Sequence, residues 1–329
     1  MSQSDLSLFA PAASAEYGHR VAAALDSRLT AHEERAFEDG EHKSRPLESV
    51  RGRDVYVIQA LYGDAEQSVN DKLLHLLFLL GTLRDAQTER VTAVIPYLAY
   101  ARKDRRTKPH DPVTTRYLAE LIESMGVDRV VAVDVHNPAA FENAFRVPTV
   151  HLEARPLFAR ALTDAMTDGE LAIVSPDTGG YKRAEHLRET LAERTAITPS
   201  MAFLEKKRSE GIVSGDAMVG DVAGKTAIIV DDLVSTGGTI ARAAAACQQG
   251  GAQRVYAVAT HGLFTGDASR VLAEASLERL LIADTVPPFR LSPALRQARL
   301  DVVDTTPLVA GAIRCMHENH SVVDMMEAW

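Results

Sequence analysis

Short apolar runs alternate with longer segments of helical periodicity along most of the chain. Asp54–Ala60 and Val91–Pro96 have the composition of buried strands. Between them, Val69–Ala86 is predicted to be a helix, with Leu73, Leu76, Leu77, Leu80 and Leu83 at core spacing. Strands that alternate with helices are typical of an α/β fold with a mostly parallel sheet.

The same alternation continues to the end of the chain. Ser7–Leu29 is predicted to hold a short strand and an amphipathic helix. The other predicted strands are Arg129–Val133, Leu171–Val174, Ala202–Leu204, Ala227–Val230, Val255–Thr260 and Leu280–Ala283. The other predicted helices are Val113–Met125, Leu157–Met166, Ile240–Gln249, Asp267–Ala275 and Leu308–Met316.

The two halves of the chain repeat one order of elements. Val55–Ala60 aligns with Ala227–Asp232, and each segment is followed by a helix and another strand. The pattern therefore predicts a diverged duplication, with an N-terminal domain over 1–150 and a C-terminal domain over 151–329. In the first copy Gln59 and Ala60 replace the acidic pair, so that copy is expected to have a different task.

Composition narrows the class of protein. The 329 residues are 46% hydrophobic, which is enough for two cores. A net charge of −9 disfavours non-specific nucleic-acid binding. Cys247 and Cys315 have no disulfide or metal spacing, which favours a reducing cytoplasm. The beginning of the sequence lacks signal-peptide features, and no apolar run has the length of a membrane span.

Ala227–Thr239 has the pattern of a sugar-phosphate site. A buried strand is followed by Asp231 and Asp232, then by the loop Ser235-Thr236-Gly237-Gly238-Thr239, then by a helix. Glycine backbone, hydroxyl donors and a helix N-terminus suit a phosphate. Because carboxylates repel phosphate, the aspartates suit sugar hydroxyls or a metal ion beside it.

Two other predicted strands end in candidate ligands. Asp177 follows one strand and precedes Gly179 and Gly180, a turn whose backbone suits a diphosphate and whose carboxylate suits Mg²⁺. His136 follows another strand. Each has an ordinary alternative: a common strand-to-helix turn for Asp177, and a hydrogen-bonded core histidine for His136.

Positive charge is concentrated in two segments of this acidic chain. Arg102, Lys103, Arg105 and Arg106 follow a strand end, where ligands bind in α/β sheets. They are interpreted either as a polyphosphate site or as a solvated basic loop. Glu205–Gly211 contains Lys206, Lys207 and Arg208 and is predicted to be a mobile loop, either a closing loop over a phosphoryl group or an exposed hairpin tip.

Taken together, these segments resemble ribose-phosphate diphosphokinases, also called PRPP synthetases. The order FEDGE, YARKDR, DVHNP, SPDTGG, KKR and DDLVSTGGT covers nearly the whole chain. The resemblance implies two tandem type I phosphoribosyltransferase-type domains related by duplication. It also implies transfer of the β,γ-diphosphoryl group of ATP to the 1-hydroxyl of ribose 5-phosphate, with Mg²⁺ as cofactor.

The resemblance also implies roles for single residues. Ser235–Thr239 would hold the 5-phosphate, and Asp231 and Asp232 the ribose hydroxyls. Lys206 and Arg208 would be catalytic, stabilising the transferring group, and His136 and Asp177 would bind the metal. ATP would be bound by Phe37, Asp39, Glu41, Arg102, Lys103 and Asp104. A homo-oligomer built from dimers, up to a hexamer, is implied as well, with the last helix packing back on the N-terminal domain.

Some positions depart from the family's commonest pattern. Lys103 stands where many members have Gln, Lys207 where they have Arg, and Ser235 where they have Asp. Lys108–Asp111 and Val323 replace residues of the site at which ADP and phosphate regulate other members, so the usual inhibition by ADP is not expected. The alternative functions are a phosphoribosyltransferase, which carries one copy of the fold, and a PRPP-sensing subunit without activity.

Overall fold

The computed structural model describes residues 5–165, 169–195, 197–209 and 212–329, with the backbone alone described at 165, 206–209 and 212–216. The chain folds into two compact units, Met1–Glu153 together with Thr306–Trp329, and Ala154–Thr305.

The first unit is built on a parallel five-stranded sheet in the order β1-β4-β5-β6-β7. Its strands are β1 Leu6–Phe9, β4 Asp54–Ile58, β5 Arg90–Ile95, β6 Arg129–Val133 and β7 Thr149–Leu152, and β2 His32–Ala36 and β3 His42–Pro46 form a separate antiparallel hairpin. Its helices are α1 Ala15–Ala24, α2 Val69–Asp85, α3 Thr114–Ser124, α4 Pro138–Ala144, and, at the end of the chain, α10 Thr306–His317 and α11 Val322–Glu327.

The second unit has a seven-stranded sheet in the order β10-β9-β8-β11-β12-β13-β14, parallel except for the β9–β10 pair. Its strands are β8 Leu171–Ser175, β9 Ser200–Ser209, β10 Ile212–Gly220, β11 Thr226–Val234, β12 Arg254–Gly262, β13 Arg279–Ala283 and β14 Leu300–Val303. Its helices are α5 Arg155–Ala165, α6 Tyr181–Arg194, α7 Gly238–Gln249, α8 Ala268–Glu274 and α9 Pro293–Arg299.

The two units repeat one topology. Each contains a strand and a helix (β1 and α1, or β8 and α6), then an antiparallel hairpin, and then four parallel strands joined by helices, while α5 precedes this order in the second unit. In this alignment β4 corresponds to β11 and α2 to α7, the equivalence that the sequence pattern predicts. The predicted α/β fold with two duplicated, mostly parallel sheets is therefore confirmed.

The hydrophobic core of each unit is formed by buried strands and the apolar faces of the helices that pack on them. All five residues of β4 and of β8 are buried, as expected for parallel strands covered on both faces. The apolar face of α2 packs on the first sheet through Leu76, Leu79, Leu80 and Leu83, while α7 uses small residues, Ala243 and Ala244, together with Ile240 and Cys247. Within the described residues, no helix has the length and apolarity needed to span a membrane.

Two predictions of local structure are wrong. The strand predicted over Ala227–Val230 continues through the acidic pair to Val234, because β11 pairs with β12 at Asp231–Ala259 and Leu233–His261. The segment predicted as a mobile loop from Glu205 is β-strand as far as Ser209, held by its antiparallel partner β10, and this pairing agrees with the hairpin alternative. Glu210 and Gly211, and the predicted helix end at Met166, lie outside the described residues.

Candidate active site

The loop between β11 and α7 has the geometry of an anion site. Gly237, the residue before α7, has a φ of +79°, a conformation that suits glycine, and supplies no side-chain cap. The first-turn N–H groups of α7 consequently have no partner among the described residues. Ser235 Oγ lies 2.8 Å from Thr265 Oγ1, which fixes the start of the loop. Free N–H groups at a helix N-terminus attract an anion.

The corresponding helix in the first unit is closed to anions. Ser68 Oγ accepts from Asp71 N–H at 3.2 Å, and Asp71 Oδ2 accepts from Ser68 N–H at 2.7 Å, a reciprocal capping box at the start of α2. Lys72 is fully buried next to it, with Nζ 2.5 Å from Asp64 Oδ2 and 3.6 Å from the centre of the Tyr62 ring. The first copy thus satisfies one first-turn N–H with the Ser68 side chain and places the Asp71 carboxylate where α7 leaves room for an anion.

The acidic pair lies within β11, two residues before the phosphate loop. Asp232 is buried, and its N–H donates to Asp231 Oδ1 at 2.9 Å. Burial above all, then the hydrogen bond and the charge of Asp232, raise the pKa of the Asp231 carboxyl. The pair therefore retains a proton at a pH at which isolated aspartates are ionised.

Arg183 is a functional candidate that the sequence analysis missed. It lies in the first turn of α6, and its Nη1 is 3.9 Å from Asp232 Oδ1. The signal in the sequence is a cation three residues after Gly180, close behind the predicted glycine turn. The pair links the β8–α6 turn to the acidic pair on the adjacent strand β11.

The β8–α6 turn holds Asp177 in a defined position. Asp177 Oδ1 accepts from Gly180 N–H at 2.9 Å, and the Asp177 carbonyl accepts from Ser175 Oγ at 2.6 Å. A Cβ on Gly180 would lie 2.9 Å from Ser175 Oγ, so a side chain there would disturb the turn. Asp177 is exposed, and nothing in the described part of the chain donates to its Oδ2.

The donor set fits Mg²⁺ bound mainly through substrate. The described residues contain no group of three or more His, Cys, Asp or Glu side chains that could hold a metal ion. Mg²⁺ is usually held by one or two carboxylates together with substrate phosphates and water, and Asp177 offers one carboxylate oxygen for this purpose. His136, the other predicted ligand, is exposed and belongs to the other unit.

The predicted nucleotide segment adjoins the His136 turn in the first unit. Asn137 Nδ2 donates to Asp104 Oδ2 at 2.6 Å, while Asn137 Oδ1 accepts from Ala140 N–H at 3.2 Å as the N-cap of α4. Lys103 Nζ is bound to Asp111 Oδ2 at 2.6 Å. Arg102 is exposed and has no partner among the described residues. Asn137 and Asp111 were not predicted from the sequence.

The hairpin β2–β3 presents the predicted adenine residues at its tip. Phe37, Asp39 and Glu41 are exposed there. The turn is closed by Phe37 N–H to the Glu41 carbonyl at 2.8 Å, and Asp39 Oδ1 accepts from Glu41 N–H at 3.1 Å. The guanidinium of Arg35 lies 5.0 Å from the centre of the Phe37 ring. The tip therefore offers an exposed aromatic ring on a rigid turn.

The predicted catalytic cations lie on the hairpin of the second unit. The backbone of Lys206 pairs with Asp216 and that of Arg208 with Val213. Their side chains lie outside the described part of the structure.

Comparison with known proteins decides the family. A family model for the N-terminal domain of ribose phosphate pyrophosphokinase matches residues 6–126, and a model for a phosphoribosyl synthetase-associated domain matches 176–327. Ribose-phosphate pyrophosphokinase 1 of Streptococcus pyogenes is 34% identical over 330 residues, covering 99% of each chain. The chain belongs to the ribose-phosphate pyrophosphokinase family.

Other members of the ribose-phosphate pyrophosphokinase family agree. The protein of that name from Caldanaerobacter subterraneus subsp. tengcongensis is 36% identical over 318 residues, 96% of each chain. The crystal structure of phosphoribosylpyrophosphate synthetase from Mycobacterium smegmatis has a TM-score of 0.86 and 34% identity, covering 96% of this chain and 99% of that one. The predicted family, enzyme class and function are confirmed.

Proposed function

We propose that the chain transfers the β,γ-diphosphoryl group of ATP to the 1-hydroxyl of ribose 5-phosphate. The ribose O1 forms a bond to the β-phosphorus, the bond to the α,β-bridging oxygen breaks, and AMP leaves as the hydroxyl proton is released. The observation that carries the proposal is the order of two features: the Asp231–Asp232 pair near the end of β11, and the uncapped N-terminus of α7 after the following loop. One ligand that satisfies both is a sugar phosphate.

The second unit binds the pentose in this proposal. The N–H groups of Gly238 and Thr239 and the hydroxyls of Ser235, Thr236 and Thr239 receive the 5-phosphate. Asp231 and Asp232 accept hydrogen bonds from the ribose hydroxyls, and the proton that the pair retains lowers its repulsion of the phosphate. In the second unit Asp177 would hold Mg²⁺, and in the first unit His136 is the other proposed Mg²⁺ ligand. When bound, Mg²⁺ neutralises charge on the diphosphate.

The first unit binds the nucleotide. Phe37 stacks on the base, and Asp39 and Glu41 accept hydrogen bonds from it, which their exposure at the hairpin tip permits. Arg102 binds the phosphates, and Lys103 and Asp104 fix the segment that carries it.

Lys206 and Arg208, on the hairpin of the second unit, stabilise the transferring group. Each contributes on the order of 3 kcal/mol to the stability of the transition state, like an oxyanion donor.

We also propose a homo-oligomer in the cytoplasm. The support for self-association is a set of exposed apolar residues in the first unit: Leu74 and Phe78, four apart on α2, and Tyr117 and Leu121, four apart on α3. Exposed apolar patches on helices commonly mark interfaces. Self-association is tested by comparing the sedimentation coefficients of the wild type and Phe78→Asp, and we expect a smaller assembly for the variant.

The cytoplasmic location is supported by Cys247 and Cys315, which are unpaired, as expected in a reducing compartment.

The activity is tested with ATP labelled at the γ-phosphate, Mg²⁺ and ribose 5-phosphate. We expect AMP as the nucleotide product and label in the pentose product. Formation of ADP, or AMP formed only from adenine and 5-phosphoribosyl 1-diphosphate, would refute the proposal. Lys206→Ala should lower kcat by about a hundredfold or more with ribose 5-phosphate binding retained. Lys225→Ala, on the turn before β11, is the matched control.

A further inference from the structure

The loop between β5 and α3 closes around a single carboxylate oxygen. Asp111 Oδ2 accepts from Lys103 Nζ at 2.6 Å, Thr107 Oγ1 at 2.7 Å, Lys108 N–H at 3.0 Å and Thr107 N–H at 3.1 Å. The Asp111 carbonyl also accepts from Arg106 Nε at 3.2 Å. One side chain thus organises the segment 103–111 from its end.

The bonds around Asp111 form a charged cluster. Lys103 Nζ lies 3.1 Å from Thr107 Oγ1 as well, so the three side chains form a closed triangle. The hydrogen bond from Lys103 first, then those from Thr107 and Lys108, holds the pKa of the Asp111 carboxyl far below its ordinary value. Asp111 therefore stays ionised throughout the neutral range, and the Lys103 charge is matched inside the loop.

Two other anchors hold the start of the same segment. Thr115 Oγ1 donates to the Tyr100 carbonyl at 3.0 Å and lies 3.3 Å from the Lys103 carbonyl. Asp104 is held by Asn137. Arg102 and Arg105, by contrast, are exposed and have no partner within the described ranges. The anchors fix the backbone and leave these two guanidinium groups to an incoming anion.

We propose that Asp111 is a positioning residue for the nucleotide, holding Lys103 and the Thr107 turn so that Arg102 is presented in its binding position before ATP arrives. The proposal rests on the proposed function, in which the segment 102–104 binds ATP. Binding is tighter when the binding segment is already ordered, because less conformational entropy is lost on association. Without Asp111, the loop must order each time ATP binds, and the Lys103 ammonium is released.

The test compares Asp111→Ala, Lys103→Met and Arg102→Ala in the full-length enzyme, with Asp85→Ala, at an exposed position at the end of α2, as control. We expect Asp111→Ala to raise the KM for ATP about tenfold, with the KM for ribose 5-phosphate and the melting temperature unchanged. Lys103→Met should raise the KM for ATP by a smaller factor. Sodium formate, compared with sodium chloride at equal ionic strength, should lower the raised KM because an external carboxylate can occupy the vacated position.

The outcomes separate this proposal from the proposed function. If Asp111→Ala leaves the KM for ATP unchanged while Arg102→Ala raises it, the positioning role is refuted and the nucleotide segment stands. If Arg102→Ala also has no effect, the nucleotide segment itself is wrong, and the positioning role falls with it. Equal changes in both KM values with a lowered melting temperature and no effect of formate would show a merely structural role.

Discussion

Asn137 joins the N-terminus of α4 to the basic segment by donating from Nδ2 to Asp104 Oδ2 at 2.6 Å. The two residues are 33 positions apart and follow different strands, β5 and β6. Because adjacent parallel strands end at the same edge of a sheet, their loops meet there. The contact fixes the predicted nucleotide segment against the turn that carries His136.

Asn137→Asp should weaken nucleotide binding without unfolding α4. Aspartate caps a helix as well as asparagine does, but its carboxylate would face that of Asp104 and lose the hydrogen bond. We expect a KM for ATP raised about tenfold, since a lost charged hydrogen bond is worth about 1.5 kcal/mol or more. Steady-state kinetics measure it. Asn143→Asp, further along α4, is the control, and an equal rise in both variants would contradict the assignment.

Gly237→Ala should affect binding of ribose 5-phosphate. At a φ of +79°, alanine is strained by about 1 kcal/mol, and its Cβ would lie 3.0 Å from Leu272 Cγ, so the loop must shift. Gly224→Ala is the matched control, because φ is +71° there and a Cβ meets nothing within 4 Å. Calorimetric titration with ribose 5-phosphate should show weaker binding for Gly237→Ala alone. Equal affinities in the two variants would remove this loop from the phosphate site.

The acidic pair should make stability fall as pH rises. The pKa of Asp231 is raised in the folded protein, so the folded state binds more protons than the unfolded chain between the two pKa values. The contribution of this proton to the free energy of unfolding is fully present below the pKa of Asp231 in the unfolded chain, which is about 4. It is lost as the pH rises toward the pKa of Asp231 in the folded protein, with a slope of up to about 1.4 kcal/mol per pH unit.

Asp231→Asn isolates this effect, because it removes the titrating carboxyl. Its melting temperature relative to wild type should increase from about pH 5 to about pH 9. Asp221→Asn is the control: the pKa of Asp221 is lowered by the Ala223 N–H and Lys225, so no slope is expected above about pH 5. A constant difference between Asp231→Asn and wild type across this range would show that the pair holds no extra proton.

Asp54 should be a large contributor to the stability of the first unit. Its fully buried carboxylate accepts from Arg90 Nη2 at 2.7 Å and Tyr56 Oη at 3.2 Å, and lies 2.8 Å from Nδ1 of His317 at the end of α10. Asp54→Ala removes the carboxylate that these groups share and should destabilise the folded state by about 3 kcal/mol or more in urea unfolding. Asp85→Ala, exposed on α2, should change stability by less than about 0.5 kcal/mol. A loss below about 1 kcal/mol for Asp54→Ala would contradict the prediction.

The order of elements and the main motifs were predictable because they depend on local pattern. Buried strands such as β4 are mostly apolar, here from Val55 to Ile58, and the phosphate loop follows β11 in sequence. The end of β11 was not predictable, since aspartates are rare in strands and only pairing with β12 extends it through Asp231 and Asp232. The strand over Lys206 has the same cause, a partner in β10.

Parts of the candidate site depend on contacts between residues distant in sequence. Arg183 lies on helix α6 and Asp232 on strand β11, while Asp104 follows strand β5 and Asn137 follows strand β6. Composition marks these residues as polar, but only the sheet order brings them together. The Asp111 cluster is local, yet its bonds require the loop to turn back on itself, which a charge pattern alone does not indicate.

The start of α2 shows how a duplicated fold can lose a ligand without losing the helix. The Ser68 hydroxyl and the Asp71 carboxylate occupy the place that a bound anion takes at an open helix start, so this helix start does not need a bound anion. A hydroxyl and a carboxylate supplied by the chain are enough to turn an anion-binding helix N-terminus into a purely structural one. The two halves can therefore differ in ligand binding through the side chains at one helix start while they keep the same order of elements.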